Sequence, residues 1–188
     1  MRRIFALIAC MTMLTVCFSV AAEEAASHGP ILVVVFSATG TTKGVAEKLA
    51  EGLAADLYEI IPEEPYTDAD LNWNDPKSRT SIETDDPMCR PAIAGELPDL
   101  TGYETVFIGY PIWWGDVPRI VSNFVEQVDL TDKTVAVFFT SGSSGLGSSM
   151  KHLEQQAGVG NWLEGKRFTS RTSMDELMAW AKELGIEP

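Results

Sequence analysis

Cysteine is nearly missing from this 188-residue chain: there are three, and Cys10 and Cys17 fall in the first twenty residues, leaving Cys89 for the rest. A single thiol forms no intramolecular disulfide and no cysteine-cluster metal site, so the fold must be held by its core. Without a second Cys to resolve it, Cys89 is expected to be a plain, partly buried thiol rather than a redox nucleophile. Basic residues are also scarce, 14 Lys+Arg against 27 Asp+Glu, for a formal net charge of −13. That balance excludes a phosphate backbone as partner and disfavours an anionic membrane surface, because both select basic faces. It leaves a basic protein partner or a small ligand. Only two histidines occur, His28 and His152, each expected at the surface. There is no G-x-G-x-x-G, no G-x-x-x-x-G-K-[ST], no internal repeat and no low-complexity tract.

The N-terminus carries the one long hydrophobic run. Arg2 and Arg3 precede an apolar stretch from Ile4 to Val20, followed by Ala21, Ala22, Glu23 and Glu24. Basic start, apolar centre and small residues before a polar region are the pattern of a secretory signal, and residues 1–22 are read as one. Cleavage after Ala22 would make the exported chain more acidic by the loss of both Arg residues. An uncleaved anchor is the alternative, and a lipoprotein reading at Leu7-Ile8-Ala9-Cys10 has too short an apolar run before its Cys. The expected setting is periplasmic or extracellular.

Residues 23–188 read as one domain of alternating strands and helices. Ile31 to Phe36, Thr105 to Tyr110 and Thr134 to Phe139 are continuous apolar runs, which suits strands buried on both faces of a parallel sheet. Shorter strands are expected at Leu57 to Ile61 and Trp162 to Phe168. Helical stripes follow at Val45, Leu49 and Leu53; at Val117, Ile120, Val121, Phe124 and Val128; and at Leu146, Met150, Leu153 and Ala157. The third-strand helix is expected to open near Asp116. The last helix opens with a capping box, Ser173 and Glu176. Residues 62–102 are Pro-, Asp- and Asn-rich and read as an irregular insertion. The order β-α-β-β-α-β-α-β-α predicts an α/β three-layer sandwich around a five-stranded parallel sheet.

In such a sheet ligands bind beyond the carboxyl ends of the strands. Three unusual loops meet there: Ser37-Ala38-Thr39-Gly40-Thr41-Thr42, then Pro111-Ile112-Trp113-Trp114-Gly115-Asp116, then Thr140-Ser141-Gly142-Ser143-Ser144-Gly145-Leu146-Gly147-Ser148. The first sets four hydroxyls at a helix N-terminus, a phosphate cradle, with a Thr-rich capped turn as the plainer alternative. The second offers two indoles that cover something flat or cap the core. The third lets backbone N–H groups approach a ligand edge, or is merely a flexible loop. Together they suit a phosphorylated planar heteroaromatic ligand.

At these three motifs the sequence resembles flavodoxin-like FMN-binding proteins, over roughly residues 30–185. The resemblance implies the flavodoxin fold with sheet order 2-1-3-4-5 and FMN as cofactor. It implies that Ser37, Thr39, Thr41 and Thr42, with the Gly40 backbone, hold the phosphate. It further implies that Trp113 and Trp114 flank the isoalloxazine, that Ser141, Gly142, Ser143, Ser144 and Gly145 line its pyrimidine edge, and that the Gly115–Asp116 peptide lies beside flavin N5. Many relatives place an aromatic in the third loop, where this chain has Ser and Gly. One flavin face is therefore expected to be open to a substrate or covered by residues 62–102, with Trp73 as the candidate cover. No catalytic acid, base or nucleophile and no metal ligand is identified. The implied function is electron transfer through a non-covalent flavin, with a redox protein partner. The alternatives are an FMN-dependent reductase of a small flat substrate and a flavin-free binding module. Asp116, Glu63, Glu64, Asp85 and Asp86 are expected either to lower the flavin potential or to be ordinary solvated acids.

Overall fold

A computed structural model describes residues 29–187; the expectations for residues 1–22 and for His28 fall outside them. Five parallel strands form one sheet: β1 (Ile31–Val35), β2 (Asp56–Glu59), β3 (Thr105–Pro111), β4 (Thr134–Thr140) and β5 (Asn161–Phe168). Their spatial order is β2-β1-β3-β4-β5, as expected. The helices are α1 (Thr41–Gly52), α2 (Arg79–Asp85), α3 (Arg119–Gln127), α4 (Ser149–Ala157) and α5 (Met174–Glu183). No helix among the described residues is long and apolar enough to cross a membrane.

Side chains alternate across a strand, so each continuous apolar run feeds two cores. Leu32, Val34, Val106, Ile108, Tyr110, Val135 and Val137 pack on one face with Ile120, Val121 and Phe124 of α3 and Leu153 of α4. Ile31, Val33, Val35, Phe107 and Phe138 pack on the other with Val45 and Leu49 of α1 and Leu177 and Trp180 of α5. The strand order reverses between β1 and β3, which pair in register from Ile31↔Thr105 to Val35↔Gly109. That reversal opens a crevice at the carboxyl end of the sheet.

Four larger departures from the sequence expectation each have a local reason. Strand β2 stops at Glu59; beyond it the chain turns toward residues 62–102 through an antiparallel Pro62↔Ile93 bridge. Helix α3 opens at Arg119 behind Pro118, not at Asp116. Asp116 instead closes a tight turn, where its backbone is paired with Trp113. Helix α4 opens at Ser149 because Gly147 adopts a left-handed φ of 57° that interrupts the helical stripe begun at Leu146. Residues 62–102 are not wholly irregular: they contain α2, whose N-cap Ser78 accepts a hydrogen bond from the Ser81 N–H. The capping box on α5 is present as expected, with Ser173 and Glu176 exchanging bonds.

Candidate functional site

A cleft of about 530 Å³ opens at the strand-order reversal, within the ~300–1,000 Å³ of ordinary small-molecule sites. All three expected loops reach it. Ser37, Ala38, Thr39, Thr41 and Thr42 line it from the first, Pro111, Ile112, Trp113, Trp114 and Gly115 from the second, and Thr140 and Ser144 from the third. Gly40, Asp116, Ser141, Gly142, Ser143 and Gly145 are not on its wall; they shape the loops that are. Leu71, Trp73 and Thr80 add a wall from residues 62–102.

The first loop ends in a helix start left unsatisfied. Gly40, at φ 83°, is the N-cap of α1 and has no side chain to cap the first-turn amides, and that turn carries no acid. The first N–H groups of a helix have no partner within it, and Thr41 and Thr42 of that turn line the cleft, so these amides are available as anion donors beside the hydroxyls. The Thr42 hydroxyl is committed elsewhere: it bonds the Thr140 hydroxyl at 2.8 Å and so ties the first loop to the third. Lys43 turns away to Glu59, 2.6 Å distant, and that carboxylate holds its ammonium above the usual lysine range.

The second loop divides its two indoles. Trp113 packs edge-to-face on Phe36 at 5.3 Å and on Tyr66 at 5.2 Å, so it is mainly a prop between the core and residues 62–102. Trp114 is the plate, 51% exposed at the mouth. Both indoles line the cleft, but Trp113 is also seated in the core and Trp114 is not. Trp113 and Asp116 exchange backbone hydrogen bonds of 3.0 and 2.8 Å, closing a two-residue hairpin. Its central residues Trp114 and Gly115 have φ of 52° and 77°, the φ signature of a type I′ turn. A left-handed Trp costs about 1–2 kcal/mol. Trp114→Asn, which tolerates that conformation, should therefore raise the melting temperature of the cofactor-free chain by ~2–4 °C while weakening ligand binding; thermal denaturation and a flavin titration check the two signs.

Asp116 sits behind this turn. Its carboxylate oxygens lie 2.9 Å from His152 Nδ1, Oδ1 accepts from the Val117 N–H at 2.8 Å, and Oδ2 lies 3.5 Å from Arg119 Nη1. Paired in this way, Asp116 is not a free negative charge on the cleft. Glu63, Glu64, Asp85 and Asp86 are exposed, and none lines the wall. The third loop is drawn toward β5, where Arg167 donates to the Ser141 and Gly142 carbonyls at 2.9 and 2.8 Å, and the Ser141 hydroxyl donates to the Ser144 carbonyl.

The fourth wall is braced by α2. The Thr80 hydroxyl donates to the Asp70 carbonyl and the Ser81 hydroxyl to the Asp75 carbonyl, both at 2.8 Å, fixing the loop that presents Trp73. Trp73 is 71% exposed and lies on the cleft wall. Arg79 pairs with Glu83 at 2.6 Å and lies over the Tyr66 ring, 4.0 Å from its centroid. Tyr66 donates to Glu83 at 2.8 Å; burial, reinforced by that carboxylate, raises its pKa and keeps it a donor. Burial likewise raises the Cys89 pKa, consistent with an inert thiol. Among the described residues no cluster of His, Cys, Asp or Glu could hold a metal ion.

Hydroxyls, an uncapped helix start and indoles around one cleft fit a phosphorylated aromatic group. A family model described as flavodoxin matches residues 30–184. The chain is 45% identical to a protein from Bacteroides eggerthii DSM 20697 classed as a flavoprotein, with a TM-score of 0.80 over 85% of this chain and 100% of that one. It is 42% identical to another so classed from Bacteroides uniformis ATCC 8492, with a TM-score of 0.78 over 83% of this chain and 99% of that one. It is 25% identical to a Lactobacillus acidophilus NCFM flavoprotein solved in complex with FMN, with a TM-score of 0.62 over 74% and 93%. No curated protein matches the chain.

Proposed function

The chain belongs to the flavodoxin family and takes FMN as its cofactor, and from that premise we propose that it is an electron carrier serving a redox protein partner. The observation that carries this reading is the make-up of the cleft wall. It holds Ser, Thr, Ala, Gly, Leu, Ile, Pro and Trp, but no titratable side chain, so no general base on the wall activates its Ser and Thr hydroxyls as nucleophiles. Such a wall binds and shields without offering a substrate an acid, a base or an activated nucleophile. The bound flavin supplies reversible electron transfer, and the protein supplies binding, orientation and electrostatics.

Each part of the wall has a task in this reading. Ser37, Thr39, Thr41 and the first-turn amides of α1 hold the phosphate. The Thr42–Thr140 bond fixes the spacing between the phosphate end and the third loop. Trp114 and Trp73 would flank the bound ring system and limit water's access to it. Trp73 favours the carrier over a reductase of small flat substrates, because its indole on the cleft wall would compete with a substrate for a face of the bound ring. On the strength of the Arg2-Arg3 and Ile4–Val20 pattern, the same proposal places the carrier outside the cytoplasm.

The test is anaerobic mixing of the FMN-loaded protein with excess NADH or NADPH. A carrier keeps its flavin absorbance near ~450 nm over minutes, because it has no site for the nicotinamide. Prompt bleaching would replace the carrier with the reductase.

A further inference from the structure

We propose that His152 is a positioning residue for the cofactor cleft, acting through Asp116 on the hairpin that carries Trp114; the proposal rests on the FMN-carrier reading for its consequence, not for its geometry. Two consecutive left-handed residues, Trp114 at 52° and Gly115 at 77°, give this hairpin a conformation that a Trp side chain disfavours. Contacts from outside help to hold it, and two of them come from the third loop and the helix that follows it.

One contact is backbone on backbone. Gly147, itself left-handed at 57°, lies so close to the hairpin that a Cβ there would stand 2.8 Å from the Gly115 carbonyl oxygen. The other is the side-chain clamp. His152 Nδ1 is 2.9 Å from each Asp116 oxygen, close to equidistant, and Asp116 is the residue that closes the hairpin. Nδ1 carries the proton and donates, since a carboxylate only accepts; that holds for the Nδ1–H tautomer and for the charged ring alike. His152 belongs to α4, the helix that directly follows the third loop, so the clamp ties the second loop to that helix from behind the turn.

Arg119 also reaches Asp116, but at 3.5 Å it is the longer contact, and its shorter bond, at 2.8 Å, goes to the Thr84 carbonyl. His152 does not itself line the cleft, so its action on the cofactor passes through the turn. The Asp116 side chain is 15% exposed against 41% for His152, which sets the clamp apart from a freely solvated ion pair.

Two substitutions separate hydrogen bonding from bulk. His152→Asn puts an amide nitrogen near the place of Nδ1, whereas His152→Leu fills the space without a donor. Two readouts are taken on the full chain: FMN dissociation constants by flavin fluorescence, and amide exchange in the FMN-free protein. His152→Leu should raise the FMN dissociation constant about tenfold and speed exchange at the Asp116 amide, with α5 unchanged. His152→Asn should stay within about threefold of the parent and keep that amide slow. Wild-type exchange in His152→Leu, losses in His152→Asn equal to those in His152→Leu, or faster exchange that extends to α5 would each overturn the proposal. If exchange behaves as expected while even the parent protein binds no FMN, the positioning role stands and the carrier reading fails.

Discussion

Thr41→Glu should stabilise the cofactor-free chain and abolish FMN retention, two effects of opposite sign from one carboxylate. Helix α1 begins at Thr41 with a glycine N-cap and no acid in its first turn, an arrangement that leaves the positive helix end uncompensated. A glutamate there interacts favourably with the helix dipole, for about 0.5 kcal/mol and a rise of ~1–2 °C in melting temperature. The same carboxylate would occupy the wall where the phosphate is to sit, since Thr41 lines the cleft. Two unit charges ~5 Å apart at an effective dielectric constant of ~20 repel by about 3 kcal/mol, and the phosphate carries nearly two. The loss of FMN affinity should exceed ~100-fold. Riboflavin, which lacks the phosphate, should bind the variant and the parent alike. Undiminished FMN affinity would place the phosphate away from α1.

Arg119→Ala should be the most destabilising change at the site, at about 3 kcal/mol. Arg119 is 8% exposed and serves three acceptors at once: the Glu83 carbonyl at 3.3 Å, the Thr84 carbonyl at 2.8 Å and the Asp116 carboxylate at 3.5 Å. Two of these acceptors are at the end of α2, where helix carbonyls have no partner within the helix. Without the guanidinium, α2 loses its main polar tie to α3, and the loop bearing Trp73 loses its brace. The melting temperature should fall by ~6–12 °C. Limited proteolysis should cut within residues 62–102 well below that temperature, and FMN affinity should fall about tenfold. Arg119→Lys should recover little, since a point ammonium does not reproduce the guanidinium fork. Resistance to proteolysis equal to that of the parent would detach Arg119 from this role.

The parts of the fold legible in the sequence were those where one local property decides the outcome. ILVVVF from Ile31 to Phe36 has no polar face, so it belongs in the sheet centre, and its strand is buried throughout. Ser173 and Glu176 satisfy each other across three residues, and the helix starts there. The three loops were legible because the ends of apolar strands locate them. Helix α2 was not, because its burial is inverted: Thr80, Ser81 and Glu83 are inside while Ile82 is outside. Only the Ser78 cap could have signalled it.

The roles of His152, Arg119 and Arg167 were illegible for a different reason. His152 finds Asp116 36 residues away, and Arg167 finds Ser141 26 residues away. Such pairs exist only once the loops have met. Asp116 looked like a helix cap because Asp before Pro118 is good cap chemistry; tertiary partners claimed its carboxylate first. The Trp pair divided because Phe36 and Tyr66 form an aromatic seat for one indole alone. Tyr66 lies within residues 62–102, whose path periodicity does not foretell.

The most direct measurement is an equilibrium titration of the FMN-free full chain with FMN and, separately, with riboflavin, followed by flavin fluorescence. Convergence of the three loops on one phosphate-tailed ring predicts saturable quenching at one FMN per chain, with riboflavin bound about 100-fold more weakly. Equal affinity for the two flavins, or no saturable quenching by FMN at tens of micromolar, would contradict it.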